Sequence, residues 1–111
     1  MDDAVRSAVM DLAVDDHTGL WELRWRMASL FPDDADLARD VVGRLSAGLI
    51  AEGLIELHEQ CGGDDPARIP TGAALELLAD PDAWDAPGPD RELTVAATEA
   101  GLQAYREGRF A

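Results

Sequence analysis

The chain has 111 residues and a formal net charge of −14, from 23 aspartates and glutamates against nine arginines. This length fits a single domain over residues 1–111, and a hydrophobic fraction of 47% is enough to build a packed core, which argues against a disordered chain. No apolar run has the length of a membrane span, and acidic residues occupy positions 2 and 3, where a signal peptide needs basic ones. We therefore expect a cytoplasmic protein, in which the lone Cys61 forms no internal disulfide.

Two helices are predicted at the start of the chain. Apolar residues recur at helical spacing over residues 3–14 and again over 20–31. Thr18 or Asp16 is expected to cap the second helix, and Pro32 is expected to end it. Each helix then buries one apolar stripe and leaves its charged residues on the other side.

A third helix is predicted after the aspartates of "PDDAD", residues 32–36. It is expected to end at Gly53 in the left-handed conformation that glycine adopts most easily. Helical spacing places its apolar residues on one buried side: Leu37, Ala38, Val41, Val42, Leu45 and Leu49. The opposite, exposed side is expected to carry Asp36, Asp40, Gly43 and Ala47.

The second half of the chain predicts two strands and a final helix. In "LIELHE" (54–59) and "ELTVAAT" (92–98) apolar and polar residues alternate, which favours an antiparallel hairpin with one apolar face. Residues 61–90 separate the strands; they begin in "CGGDDP", end in "APGPD" and contain one or two helical turns in "TGAALELLADPDAW". This segment is interpreted as an insertion in the hairpin. The chain ends in a helix that Thr98 caps.

Two motifs resemble bacterial transcription regulators. "VVGRLSAGLIAEGLIEL" resembles the recognition helix and first wing strand of MarR-like and PadR-like regulators, and "LTVAATEAG" resembles their second wing strand and following helix start. The resemblance covers residues 20–60 and 91–108, and the insertion has no counterpart in a simple wing. It implies an α+β, mainly α, winged helix-turn-helix fold: three helices, a two-stranded wing with a helical insertion, and a C-terminal helix.

The resemblance implies DNA binding, but the charges disfavour it. In these families the exposed side of the third helix reads bases and the wing contacts the DNA backbone. The corresponding positions here carry Asp36 and Asp40 on the helix and Glu92 on the wing. Carboxylates release no counterions from a polyanion. A dimeric DNA-binding regulator is therefore the alternative hypothesis, in which DNA contact would depend on Arg39, Arg44 and Arg91.

Metal and catalytic sites are not expected. His58 and Cys61, with the remote His17, fall short of the four ligands that structural zinc requires. The serines at 7, 29 and 46 are expected on helix surfaces without a neighbouring histidine to activate them. We therefore predict that the protein is not an enzyme and has no cofactor.

Tryptophans offer a more specific signal. Trp21 and Trp84 are expected to pack together at the edge of the core. Trp25 lies between two arginines and away from the buried stripe of the second helix, which is typical of a protein-binding hot spot. The sequence therefore predicts a regulatory adaptor, or an immunity or antitoxin-type protein, that binds a basic protein partner or a second copy of itself. The residues expected at that interface are Trp25, Arg26, Asp36, Asp40 and Trp84.

Overall fold

A computed structural model describes residues 2–15, 17–63, 65–85 and 91–110, with no side-chain description for residues 2 and 35. In chain order the elements are α1 (Asp2–Asp15), β1 (Thr18–Gly19), α2 (Leu20–Met27), α3 (Ala35–Ala51), β2 (Ile55–Cys61), β3 (Ala67–Arg68), α4 (Thr71–Leu78), β4 (Arg91–Ala97) and α5 (Glu99–Arg106). Short 3₁₀ turns occupy Ala28–Leu30 and Pro81–Trp84. The α+β class is confirmed. The expected Asp16 cap and the "APGPD" turn at 86–90 lie outside the described residues.

The helices expected in the first half of the chain are present, with one local difference. The α2 helix gives way to a 3₁₀ turn after Met27, so the predicted second helix is tightened in its last turn. The expected Thr18 cap is wrong, since Gly19 is the N-cap residue of α2. The Thr18 hydroxyl instead donates to the carbonyl of Leu12 at 3.2 Å. None of the helices in the described ranges is long and apolar enough to cross a membrane.

The expected hairpin is the centre of a larger sheet. β2 and β4 pair antiparallel along seven residues each, with Leu57 opposite Val95, so the apolar faces of both strands coincide. Two strands were expected, but two-residue strands extend the sheet on both sides in the order β1-β4-β2-β3. Thr18 of β1 also lies opposite Val95, which ties the loop before α2 to the sheet.

One hydrophobic core joins the helices to the sheet and to the insertion. Its buried residues come from α1 to α4, β2, β4, α5 and the Pro81–Trp84 turn. Two expectations for α3 are wrong: Leu37 is 46% exposed, and Ser46 is fully buried. The buried stripe of α3 instead runs through Ala38, Val42, Ser46 and Leu49, and α4 packs on α3 from a second side.

The junction between α3 and β2 is held against the junction between β4 and α5. Gly53 has a φ of 77°, as its position after α3 predicts. The Thr98 hydroxyl caps α5 by accepting from the Gly101 N–H at 3.0 Å, and it donates to the Gly53 carbonyl at 2.6 Å. The Thr98 N–H donates to the Leu54 carbonyl at 3.1 Å. A side chain at position 101 would overlap that carbonyl, so the contact requires glycine.

Gly101→Ala is expected to destabilise the protein by about 3 kcal/mol, because the added methyl group meets backbone that cannot move alone. Urea denaturation measures the loss. Gly48→Ala is the matched control, since a Cβ at this helical glycine meets nothing within 4 Å. The control should gain up to about 1 kcal/mol from helix propensity. Equal changes in the free energy of unfolding for the two substitutions would contradict the close approach of Gly101 to the Leu54 carbonyl.

Ser46→Ala is expected to stabilise the protein by about 1 kcal/mol. The Ser46 hydroxyl is buried without a hydrogen-bond partner among the described residues, so its removal relieves a desolvation cost. Ser29→Ala serves as the exposed control and should change stability by less than about 0.5 kcal/mol. A loss of stability in Ser46→Ala, measured by thermal denaturation, would show that the hydroxyl has a partner.

Candidate functional site

The insertion covers part of the exposed face that sequence reasoning assigned to α3. Trp84 is 1% exposed, and its indole N–H donates to the Leu78 carbonyl at 2.9 Å. A Cβ added to Gly43 would lie 3.6 Å from that carbonyl and from the Trp84 ring, so backbone and indole pack closely over the middle of α3. The remaining cleft between α3 and α4 has a volume of about 260 Å³ and includes Arg39 and Arg44.

The arginines are distributed over the surface and neutralised locally. Six of them, within the described ranges, form ion pairs with carboxylates: Arg6–Glu52 (2.9 Å), Arg24–Asp85 (3.3 Å), Arg26–Glu22 (3.0 Å), Arg39–Asp36 (3.8 Å), Arg68–Glu56 (2.9 Å) and Arg91–Glu59 (2.8 Å). Hydrogen bonds from the Cys61 thiol and the Arg91 guanidinium hold the pKa of the Glu59 carboxyl below its usual value. The three arginines expected to contact DNA therefore do not converge: two line the α3–α4 cleft, and Arg91 is paired on β4.

A larger groove lies between α2, the Pro81–Trp84 turn and the start of β4. Its volume is about 570 Å³, within the range of small-ligand sites. Trp21 and Trp25, one helical turn apart on α2, form the aromatic side and are 44% and 65% exposed. The remaining lining residues are Gly19, Leu20, Glu22, Asp82, Ala83, Asp85, Arg91, Glu92 and Leu93. The groove thus combines two exposed indoles with four carboxylates and one guanidinium.

Two of the four carboxylates in the groove have an arginine partner, and two do not. Glu22 is engaged by Arg26 at 3.0 Å, and Asp85 by Arg24 at 3.3 Å. Asp82 and Glu92 have no cationic partner among the described residues. The groove therefore presents negative charge beside aromatic surface, without cations of its own to neutralise two of its acids.

Only some of the expected interface residues lie at this groove. Trp25 lines it, and Arg26 pairs with one of its acids. The assignment of Trp84 to an interface is wrong, because the side chain is buried between α3 and α4. Asp36 and Asp40 are exposed on α3 but lie outside the groove.

Sequence reasoning missed the far side of the groove. Asp82 and Glu92 come from segments distant from α2 along the chain, and no local pattern connects them. Trp21 lines the groove and is 44% exposed, whereas Trp84 is 1% exposed in the core. The turn that carries Asp82 also carries the buried Trp84, so a tryptophan in this segment was the available sequence signal.

The two histidines come together, although not with Cys61. The Nδ1 atoms of His17 and His58 lie 3.2 Å apart, and His17 Nδ1 lies 3.3 Å from the Thr94 hydroxyl. A hydrogen bond between two Nδ1 atoms requires one of them to be deprotonated. The Nε2 of His58 lies 3.2 Å from Glu56. Within the described ranges, no group of three or more ligand-type side chains is placed to hold a metal ion.

Comparisons with known proteins found no match to the chain among family models, curated proteins or solved structures.

Trp84→Ala is expected to cost about 3 to 5 kcal/mol in the free energy of unfolding, because it opens a cavity and leaves the Leu78 carbonyl without its donor. Trp25→Ala is the matched control and should change stability by less than about 0.5 kcal/mol, since the side chain is mostly exposed. Denaturation of both variants in urea provides the measurement. Similar losses in the two variants would contradict their different environments.

Proposed function

We propose that this protein is a non-enzymatic protein-interaction module on a winged-helix scaffold, acting as a regulatory adaptor or as an immunity or antitoxin-type protein. The observation that carries the proposal is the pair of exposed indoles, Trp21 and Trp25, in an acidic groove. Large exposed aromatics are the side chains that contribute most to protein interfaces. An acidic surface accelerates association with a basic protein and disfavours nucleic acid.

The order and pairing of the elements support the scaffold part of the proposal. Helix α2 is followed by a short turn and α3, which ends at Gly53 and leads directly into β2. β2 pairs with β4, and α5 follows at once from the Thr98 cap. This is the order that the resemblance to MarR-like and PadR-like regulators implies. The inserted α4 and its following turn are the main departures.

The alternative, a dimeric DNA-binding regulator, has less support. The middle of the α3 face that would enter the major groove packs against α4 and Trp84, as the close approach to Gly43 indicates. The arginines that would contact phosphates are divided between two sites, and Arg91 is occupied by Glu59. DNA binding in this orientation would need both displacement of the insertion and release of ion pairs.

Affinity capture from extracts of the native cell tests the proposal. The wild-type protein and Leu37→Ala, which removes a different exposed apolar side chain, should retain the same partner protein, whereas Trp25→Ala should lose it. An expected loss of about 2 kcal/mol for a hot-spot tryptophan corresponds to roughly a thirtyfold weaker complex. Sedimentation at several concentrations identifies a second copy of the chain as the partner.

Equal capture by all three proteins, with no change in oligomeric state, would contradict the proposal. A mobility-shift titration with duplex DNA at low salt, where phosphate attraction is strongest, tests the alternative. No shift is expected for the wild type. A shift that Arg39→Ala and Arg44→Ala weaken would instead support the DNA-binding regulator.

A further inference from the structure

We infer that the Trp21–Trp25 groove binds an arginine side chain presented by a basic segment of the partner protein. The inference rests on the proposed function and specifies the chemistry of its interface. Two features of the groove carry it: aromatic faces that are open to solvent and carboxylates that have no cation.

The aromatic side of the groove suits a flat cation. Trp21 and Trp25 lie four positions apart on α2, so both indoles lie on adjacent turns of the same helix and line the same groove. A guanidinium stacks on an indole through both dispersion and attraction to the ring quadrupole. A purely apolar side chain would gain the contact area but would bring no charge to the neighbouring acids.

The acidic side of the groove provides partners for the guanidinium N–H groups. Asp82 and Glu92 have no cationic partner in the described part of the chain, whereas Glu22 and Asp85 already have one. The Glu92 carboxylate lies beside Gly19, another lining residue of the groove, because a Cβ at Gly19 would be 3.2 Å from its Oε1. A planar donor fork satisfies a carboxylate through two hydrogen bonds, which a lysine ammonium does not.

Net charge disfavours anionic occupants, and the volume of the groove limits the size of the occupant. Asp82 and Glu92 have no counter-charge, and Arg91 is already paired with Glu59, so the groove repels anions such as phosphate or an acidic peptide. A volume of about 570 Å³ accommodates one or two side chains of an extended segment. The groove therefore favours a segment with one or two arginines over a folded element inserted whole.

The test is an NMR titration at low salt with a Gly-Arg-Arg-Gly peptide blocked at both ends. The three indole N–H signals report separately, and the buried Trp84 signal is an internal reference because its N–H is bonded to Leu78. The Trp21 and Trp25 signals should shift while the Trp84 signal stays in place. The citrulline analogue, which keeps the shape but lacks the charge, should leave all three unchanged, and the lysine analogue should bind more weakly.

Variants separate the two sides of the groove. Asp82→Asn with Glu92→Gln should weaken binding about fivefold. The charge-matched control, Asp65→Asn with Glu76→Gln, removes two exposed acids outside the groove and should change affinity less than twofold. Trp25→Leu keeps an apolar side chain but removes the π system, and it should weaken binding about threefold to fivefold.

The outcomes distinguish this inference from the proposed function. If Trp25→Ala abolishes partner capture but the arginine peptide leaves the Trp21 and Trp25 signals unmoved, the inference is wrong and the proposed function stands. Equal loss of affinity in the groove variant and the charge-matched control would indicate nonspecific attraction and would also overturn the inference. Peptide binding without any partner capture would overturn the proposed function and, of the inference, leave only the affinity of the groove for arginine.

Discussion

The fold depends on the close contact between two chain junctions that are more than forty residues apart, Gly53–Leu54 and Thr98–Gly101. The absence of a side chain at Gly101 lets the first turn of α5 approach the Leu54 carbonyl, and the Thr98 hydroxyl bonds both its own helix and Gly53. This contact sets where β2 begins and where β4 ends. The register of the central hairpin, and with it the apolar face that meets the helices, follows from those two points.

The sequence alone predicted the helix end at Gly53 and the helix cap at Thr98. Both predictions depend only on residues that are close along the chain, because a glycine ends the helix before it and a threonine caps the helix after it. The same reasoning failed where a distant element decides the environment. Leu37 is exposed and Ser46 is buried, the reverse of what helical spacing predicts, and Trp84 is buried against α3 at Gly43. Helical periodicity identifies one apolar stripe, but it does not say which other faces an insertion will cover. Trp25 was predicted as an exposed binding residue, but the groove around it was not, because its acids and indoles come together only in the folded chain.

Pairing of the arginines with carboxylates determines where unneutralised negative charge remains on the surface. Each of the paired guanidiniums has an acid on a neighbouring turn, strand or loop, and exposed pairs of this kind contribute little to stability. Their main effect is to remove positive potential from the surface. The net charge of −14 is therefore expressed by carboxylates without counter-charges, including those of the groove.

The insertion links the covered face of α3 to the groove on α2. Trp84 anchors the turn over α3, and Arg24 of α2 donates to the Trp84 carbonyl at 3.4 Å and to Asp85 at 3.3 Å. The same turn thus covers the middle of the α3 face and places Asp82 and Asp85 in the groove beside α2. Release of Trp84 from its place over α3 would expose the middle of that helix and would also displace Asp82 and Asp85 from the groove.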